Sequence, residues 1–369
     1  MSAKKEPTVL ILTDHHVDIY NWRRELIERL IGKGCRVILA LPYGEKVDLL
    51  VQMGCEFHDV KINRRGKNPV QDLLLTRRFL SIIGRTRPGV VLTYGTKPNI
   101  YGGLACRIKR VPYIENLNGL GSGIREDKEV VERLVEFLYK VALKKARCVF
   151  FQNASDQAYC TEHAIVSTRN VLIPGSGVNL SYYQPLAFVK EWPVVFMYIA
   201  RIMKEKGIDE YLTAARRLKQ KYGDKVRFHV LGFCEEDYEA ELKDLHDAGV
   251  IVYDGMQSDI RPFLAQAHCV VMPSYYGEGM SNTLLESAAS ARPVITTDLP
   301  GCGETVSDGV SGMVVKAKDA EDLIAVMEKF LAISFDEMEE MGRSGRRKME
   351  QSFDRNIVVN AYLEQIGME

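Results

Sequence analysis

The stretch from Pro273 to Ser287 reads Pro-Ser-Tyr-Tyr-Gly-Glu-Gly-Met-Ser-Asn-Thr-Leu-Leu-Glu-Ser. An apolar strand ends at Pro273, and the loop after it carries Glu278 and Gly279. Ser281 and Asn282 both cap helices well, so a helix is predicted to start there. The first turn of a helix has amide N–H groups without intrahelical partners and the positive end of the dipole, which together attract an anion. The N–H groups of Met280, Ser281 and Asn282 are therefore candidates for holding a diphosphate. Gly279 allows the backbone to approach a bulky ligand. Glu286 lies about one turn further along, its side chain leaning back toward the helix start. A carboxylate there suits the hydroxyls of a ribose beside that diphosphate. Glu278, on the loop, faces whatever group the phosphate carries. Taken alone, either glutamate reads equally well as a solvated surface charge.

They are not alone. Ala200-Arg201-Ile-Met-Lys-Glu-Lys206-Gly207 follows another apolar strand, which places Arg201 and Lys206 at the carboxyl edge of a neighbouring strand. Two permanent cations beside a helix start form a diphosphate clamp, the arginine through forked hydrogen bonds and the lysine as a point charge.

Such a clamp needs strands and helices in alternation to hold it, and the chain supplies them twice. Val9–Leu12, Arg36–Leu41, Val90–Thr93, Tyr113–Asn116, Cys148–Gln152 and Val171–Ile173 read as short buried strands. Helical patterns at Trp22–Gly32, Val70–Arg85, Ile100–Arg110 and Lys128–Ala146 separate them. Residues 181–193 contain Pro185, Trp192 and Pro193 and no period, hence a linker. The pattern restarts at Val194–Ala200 and alternates through Val294–Thr297 into a long helical C-terminal region. Alternation of this kind implies parallel sheets with right-handed crossovers. The expectation is an α/β protein of two Rossmann-like doubly wound domains, 1–184 and 185–369, facing each other across a cleft. The final helix is free to pack back on the first domain. In open α/β sheets ligands sit beyond the carboxyl ends of the strands.

The chain of 369 residues is 46% hydrophobic and 27% charged, long enough for two cores. No apolar run reaches the roughly 18–20 residues of a membrane span, and the N-terminus lacks the pattern of a signal peptide, so a cytoplasmic protein is expected. The eight cysteines are scattered, with no Cys-x-x-Cys pair and no zinc-ligand spacing to the seven histidines, which reads as buried reduced thiols. The net charge of zero hides an asymmetry: residues 1–184 carry 28 Lys and Arg against 18 Asp and Glu, residues 185–369 carry 21 against 31. Between Lys61 and Arg110 stand twelve basic residues and one acid, Asp72. The first domain thus expects an anionic partner. Helix 70–85 has Leu73, Leu74, Phe79, Ile82 and Ile83 on an apolar face and Arg77, Arg78 and Arg85 on a polar one. With Arg64, Arg65 and Lys67 beside it, this basic amphipathic helix suits an anionic bilayer.

The motifs also carry a family resemblance. Tyr-Ile-Ala-Arg201-x4-Lys206-Gly, Pro-Ser-x-x-x-Glu278-Gly-x-x-Asn-x-x-x-Glu286 and Gly301-x-x-Glu304…Gly309-x-x-Gly312 resemble the retaining glycosyltransferases with a Glu-x7-Glu signature, glycosyltransferase family 4, of GT-B architecture. Asn21-Trp-Arg23-Arg-Glu-Leu is similar to a helix start of the same family. Thr96-Lys97-Pro98-Asn99-Ile-Tyr-Gly102 and Asn118-Gly119-Leu120-Gly121-Ser122 resemble a subgroup that builds bacterial surface glycans on undecaprenyl diphosphate, its N-acetylgalactosaminyl- and galactosyltransferases. By this resemblance Arg201, Lys206 and the amides of Met280, Ser281 and Asn282 bind the donor diphosphate, Glu286 the ribose, and Glu278 the transferred sugar. Glu278, Arg201 and Lys206 are then the catalytic group. Lys97, Asn118 and Gly119 face the acceptor, a polyprenyl-diphosphate-linked glycan, and the donor is a UDP-sugar. The enzyme is expected to sit peripherally on the inner face of the cell membrane. One departure stands out: many relatives place a histidine near the reacting carbon, and Asn116–Gly119 has none. His15 and His16, after the first strand, read as incidental.

No metal or other cofactor is expected, because no Asp-x-Asp triplet is present and fixed cations and amide dipoles can stabilise a departing diphosphate. A nucleotide-sugar epimerase would share the donor site but not need a basic face. A dinucleotide oxidoreductase would show Gly-x-Gly-x-x-Gly after the first strand, where the chain reads Ile11-Leu-Thr-Asp-His-His. A nucleic-acid binder would leave the second-half motifs idle and lacks a stacking platform.

Overall fold

A computed structural model describes residues 6–64, 66, 68–119 and 130–368. The chain divides into two compact units, residues 1–176 with 356–369, and residues 177–355. The division falls at Ser176/Gly177, earlier than the expected 184/185.

In the first unit, strands β1 (Thr8–Thr13), β2 (Arg36–Leu41), β3 (Glu56–Asp59), β4 (Val90–Tyr94), β5 (Tyr113–Leu117), β6 (Cys148–Phe151) and β7 (Asn170–Leu172) form one parallel sheet, ordered β3-β2-β1-β4-β5-β6-β7. Val9 of β1 lies between Val37 and Val90. All six β1 residues are buried, as a strand covered on both faces requires. The crossovers are helices α1 (His16–Gly32), α2 (Glu45–Gln52), α3 (Pro69–Thr86), a π-helical turn (Pro98–Gly102) leading into α4 (Gly103–Lys109), α5 (Val130–Leu143) and α6 (Ala154–Glu162). Helix α2, strand β3 and helix α6 escape the sequence pattern. The edge strand β3 reads Glu-Phe-His-Asp with no fully buried position, so it offers no apolar run to detect.

The second unit carries a six-stranded parallel sheet, β10-β9-β8-β11-β12-β13, built from β8 (Val194–Ile199), β9 (Val226–Leu231), β10 (Val252–Gly255), β11 (Cys269–Met272), β12 (Val294–Thr297) and β13 (Gly312–Val315). Helices α7 (Ile208–Tyr222), α8 (Glu239–Asp247), α9 (Arg261–Leu264), α10 (Asn282–Ala289), α11 (Ala320–Ala332) and α12 (Phe335–Ser352) cover it. Residues 181–193 contain no helix or strand, as expected, but they are pinned to this unit. The fully buried Arg292 donates to the carbonyls of Leu186, Ala187 and Leu264.

The last helix, α13 (Arg355–Ile366), inserts Val358, Val359, Tyr362, Leu363 and Ile366 into the first unit's core beside Val9 and Ile11. Tyr362 packs on Phe150 with ring centroids 4.4 Å apart. Arg23, buried, lies over the rings of Tyr94 and Tyr362 at 5.1 and 5.9 Å. A delocalised guanidinium tolerates such a site because the ring faces partly replace its solvation.

Helix α3 differs from expectation in one respect. Leu75, Phe79, Ile82 and Ile83, at i, i+4, i+7 and i+8, form the buried stripe. Val70, Leu73 and Leu74 are 64%, 63% and 47% exposed, so Leu73 and Leu74 are not on the core face. At 100° per residue Leu73 sits almost opposite Leu75, on the same side as Arg77. Among the described residues no helix is long and apolar enough to cross a membrane.

Candidate active site

The order of the second sheet reverses between β8 and β11, and ligands bind at such a switch point, beyond the strand ends. Arg201 and Lys206 leave β8 there, and the 273–282 loop leaves β11 there. Tyr276 draws the two cations together: Arg201 and Lys206 lie over its ring at 5.4 and 4.9 Å. Lys206 is buried and forms an ion pair with Glu278, whose carboxylate also accepts from the Ser274 hydroxyl at 3.4 Å. Arg201 pairs with Glu235 at 2.5 Å. Three expected residues, Arg201, Lys206 and Glu278, thus share one cluster. Glu235, Tyr276 and Ser274 are the additions. Tyr276 lies inside the motif and its aromatic face was the available signal, while Glu235 follows β9 with nothing in its spacing to mark it.

Two glycines set the approach of the backbones. Gly207 has φ +77°, and a Cβ there would stand 2.3 Å from the Pro273 carbonyl oxygen, so the two loops can touch only with glycine at this position. Gly301 has φ +83° and lies against the Glu278 backbone, where a Cβ would meet the Glu278 carbonyl oxygen at 2.7 Å. Its amide is held by the Glu304 carboxylate at 2.8 Å, which accounts for the Gly-x-x-Glu spacing.

Helix α10 starts at Asn282 with Ser281 as its extended N-cap residue, and no side chain caps it. One expected amide is otherwise engaged: the Ser281 N–H donates to the Gly301 carbonyl at 2.8 Å. This bond ties the glycine loop to the helix start, so Ser281 serves to shape the site through its backbone in this structure. Gly279 and Met280 are buried in the loop just before it.

Glu286 is partly buried on α10, and burial pushes its carboxyl up to about 7, against the opposing pull of Arg355 and of a hydrogen bond from the Tyr183 hydroxyl. Tyr183 and Arg355 had no motif to reveal them. They come from opposite ends of the second unit's chain segment, and only folding brings them to Glu286.

In the first unit, Lys97 is buried and bonded to Asp72 at 2.5 Å, and Asp72 also accepts from the Tyr101 hydroxyl at 2.8 Å. The Asn118 side-chain oxygen accepts from Gln152 at 2.9 Å and from Asn116. Gly119 has φ +112°, a left-handed turn that favours glycine. Leu120, Gly121 and Ser122, like Arg65, Lys67 and the start of helix 128–146, lie outside the described residues. His15 bonds to Asp18 on its own helix at 2.9 Å, and the His16 ring lies against Gly44, so both are engaged locally. Glu115 on β5 is fully buried, and neither carboxylate oxygen has a partner among the described residues. Burial raises its pKa well above the usual carboxylate range.

Among the described residues no group of three or more His, Cys, Asp or Glu side chains is placed to hold a metal.

Residues 193–332 match the family model of glycosyl transferases group 1, and residues 8–153 match that of the glycosyl transferase 4-like domain. Over 364 residues, 94% of each chain, the sequence is 26% identical to the N,N'-diacetylbacillosaminyl-diphospho-undecaprenol alpha-1,3-N-acetylgalactosaminyltransferase of Campylobacter jejuni. It is 31% identical over 169 residues to the capsular polysaccharide biosynthesis glycosyltransferase CapM of Staphylococcus aureus, a match covering 44% of this chain and 43% of CapM. The fold is shared with a glycosyltransferase from Rickettsia africae at TM-score 0.80 and 18% identity, covering 98% of both chains. HepE of Anabaena, solved with UDP, superposes at TM-score 0.77 and 16% identity over 98% of this chain and 100% of that one. With residues 8–153 and 193–332 matched by these models and the two-sheet fold shared along its length, the protein is a glycosyltransferase of GT-B fold, its first unit similar to the 4-like model and its second to the group 1 model.

Proposed function

We propose that this enzyme transfers a hexose or N-acetylhexosamine from UDP, with retention, to a polyprenyl-diphosphate-linked glycan in surface polysaccharide assembly. The observation that carries this reading is the cluster of Arg201, Lys206 and Glu278 beside the uncapped start of α10. The bond that must break joins the anomeric carbon to a diphosphate oxygen, and negative charge builds on that oxygen. Arg201 and Lys206 stabilise it, and such preorganised charges act most strongly in a site sheltered from water. Glu286, ionised, accepts from the ribose hydroxyls, and Glu278 from those of the sugar. Lys206, already against Glu278, joins the sugar-binding and phosphate-binding parts of the site. The acceptor oxygen attacks on the face the diphosphate leaves, and its proton passes to the departing phosphate oxygen.

The lipid-linked acceptor draws support from the Campylobacter relative, whose own name specifies such an acceptor. Lys97, Asn118 and Gly119 are the acceptor-side residues in this reading. Peripheral attachment to an anionic membrane is supported by the exposed Val70 and Leu73 beside Arg77.

The test is a screen of nucleotide sugars with a polyprenyl-diphosphate-sugar acceptor, with products read by mass spectrometry and the anomeric configuration by NMR. Transfer from a UDP-sugar with the donor's configuration is expected. No transfer from any nucleotide sugar, or an inverted product, overturns the proposal. The chemistry proposed needs no cofactor or metal, so EDTA should leave the rate unchanged. A loss restored by magnesium or manganese would refute that part.

A further inference from the structure

A cavity of about 490 Å³ opens in the first unit beyond the carboxyl ends of β2, β3 and β4. Lys61, Arg78 and Lys97 line it, with Asp72 as its one acid. Lys97 is neutralised by Asp72, which Tyr101 holds from behind. Neither Lys61 nor Arg78 has a carboxylate partner among the described residues. Among the described residues the Arg78 guanidinium donates only to the Lys61 carbonyl, at 3.3 Å. Two uncompensated cations beside a cavity form an anion site with more than one charge to satisfy.

The rim has the opposite character. Leu74 lines the mouth and is 47% exposed, and Leu73 and Val70, on the same helix, are 63% and 64% exposed. An exposed run of branched apolar side chains beside a cationic pocket asks for an amphiphile with an anionic head and a hydrocarbon tail.

We propose that this cavity binds the diphosphate of a prenyl-diphosphate acceptor, with Lys61 and Arg78 on the phosphates and the first prenyl units along Val70, Leu73 and Leu74. The inference rests on the lipid-linked acceptor proposed above and adds its anchoring site. Lys97, fixed by Asp72 and Tyr101, closes the inner end of the cavity and holds the head group at a set depth.

The experiment measures binding of farnesyl diphosphate and of inorganic pyrophosphate to the full chain by calorimetry. Saturating UDP is present throughout, so that the donor's anion site is occupied. Wild type should bind both, farnesyl diphosphate more tightly. Lys61→Gln with Arg78→Gln should weaken both ligands by about tenfold or more, the scale expected for lost charged hydrogen bonds. Leu73→Ser with Leu74→Ser should weaken farnesyl diphosphate by about fivefold or more, as loss of apolar burial predicts, and leave pyrophosphate unchanged. All four positions are exposed, and thermal melts should match wild type. Equal affinity for the two ligands, or affinities that neither pair of substitutions moves, overturns the site. At a few hundred millimolar salt, where attachment to a bare anionic surface has faded, binding to vesicles of anionic lipid without any diphosphate at the affinity seen for farnesyl diphosphate would mean a bare membrane surface and also overturn it. The reading as a UDP-sugar transferase fails separately, if wild type binds no UDP.

Discussion

Lys206 and Glu278 meet in an ion pair in this structure, which makes them one functional unit. Replacing Lys206 with Ala removes the proposed phosphate ligand and takes the Lys206 cation away from the half-buried Glu278 carboxylate. Turnover is expected to fall by roughly two to three orders of magnitude, the scale of losing one oxyanion donor, with a stability loss of about 1–3 kcal/mol for the lost charged hydrogen bond. Arg201 is more exposed, so Arg201→Ala should cost the same turnover with an almost unchanged melt. Steady-state kinetics and calorimetry distinguish the two, and activity within threefold of wild type for both would remove them from the mechanism. Glu286 gives a pH signature. Its carboxyl is raised to about 7 by burial, so donor affinity should increase as pH rises from 6 to 8 and the ionised form takes over. Glu286→Gln should abolish that slope. Stability runs the other way. Between the usual carboxylate pKa and 7 the folded state holds a proton that the unfolded chain has released, so this residue lowers stability as pH rises through that window. A melt series on wild type and Glu286→Gln should show that difference.

At the scale of the element, α3 shows how one helix serves two surroundings. Its core stripe is complete with Leu75, Phe79, Ile82 and Ile83, so Val70 and Leu73 are spare apolar groups on the side of Arg77. Binding to anionic vesicles should be appreciable at low salt and fade by a few hundred millimolar, since each basic residue adds about 1 kcal/mol within a Debye length. Replacing Arg64, Arg77 and Arg85 with Gln should release the protein in a sedimentation assay. Wild type that ignores anionic vesicles at low salt would show α3 to be an ordinary solvated helix. The amphipathic pattern was legible in the sequence, but Leu73 and Leu74 were read onto the wrong face. Of the three adjacent leucines 73–75, only Leu75 stands at i, i+4, i+7 and i+8 with Phe79, Ile82 and Ile83, and that spacing selects it for the core.

For the whole molecule, the C-terminal helix decides where the first unit ends. Five buried apolar residues of α13 belong to that core, each contributing about 1.5–3 kcal/mol, which together rivals the 5–15 kcal/mol stability of a typical domain. Truncation after Ser352 should therefore unfold the first unit, seen as lost helical signal and exposed apolar surface by dye binding. A truncated chain with the wild-type melt would mean that α13 is dispensable.

The two doubly wound units were readable from the chain because buried parallel strands must be short continuous apolar runs, and helices between them must follow a 3.6 period. The clustering of Arg201, Lys206 and Glu278 was readable too, because they lie in segments whose strand-to-helix geometry follows from local rules of chain direction. Contacts between distant segments were not. Arg201 with Glu235, Glu286 with Tyr183 and Arg355, and Lys61 with Arg78 and Lys97 depend on which strands neighbour one another and on the depth at which each helix packs. The edge strand β3 was invisible because half-buried polar positions have no hydrophobic period. The same holds for α13, whose membership in the first unit follows from a surface that the first unit's core leaves uncovered, a property of the assembled sheet that no local stretch of sequence contains.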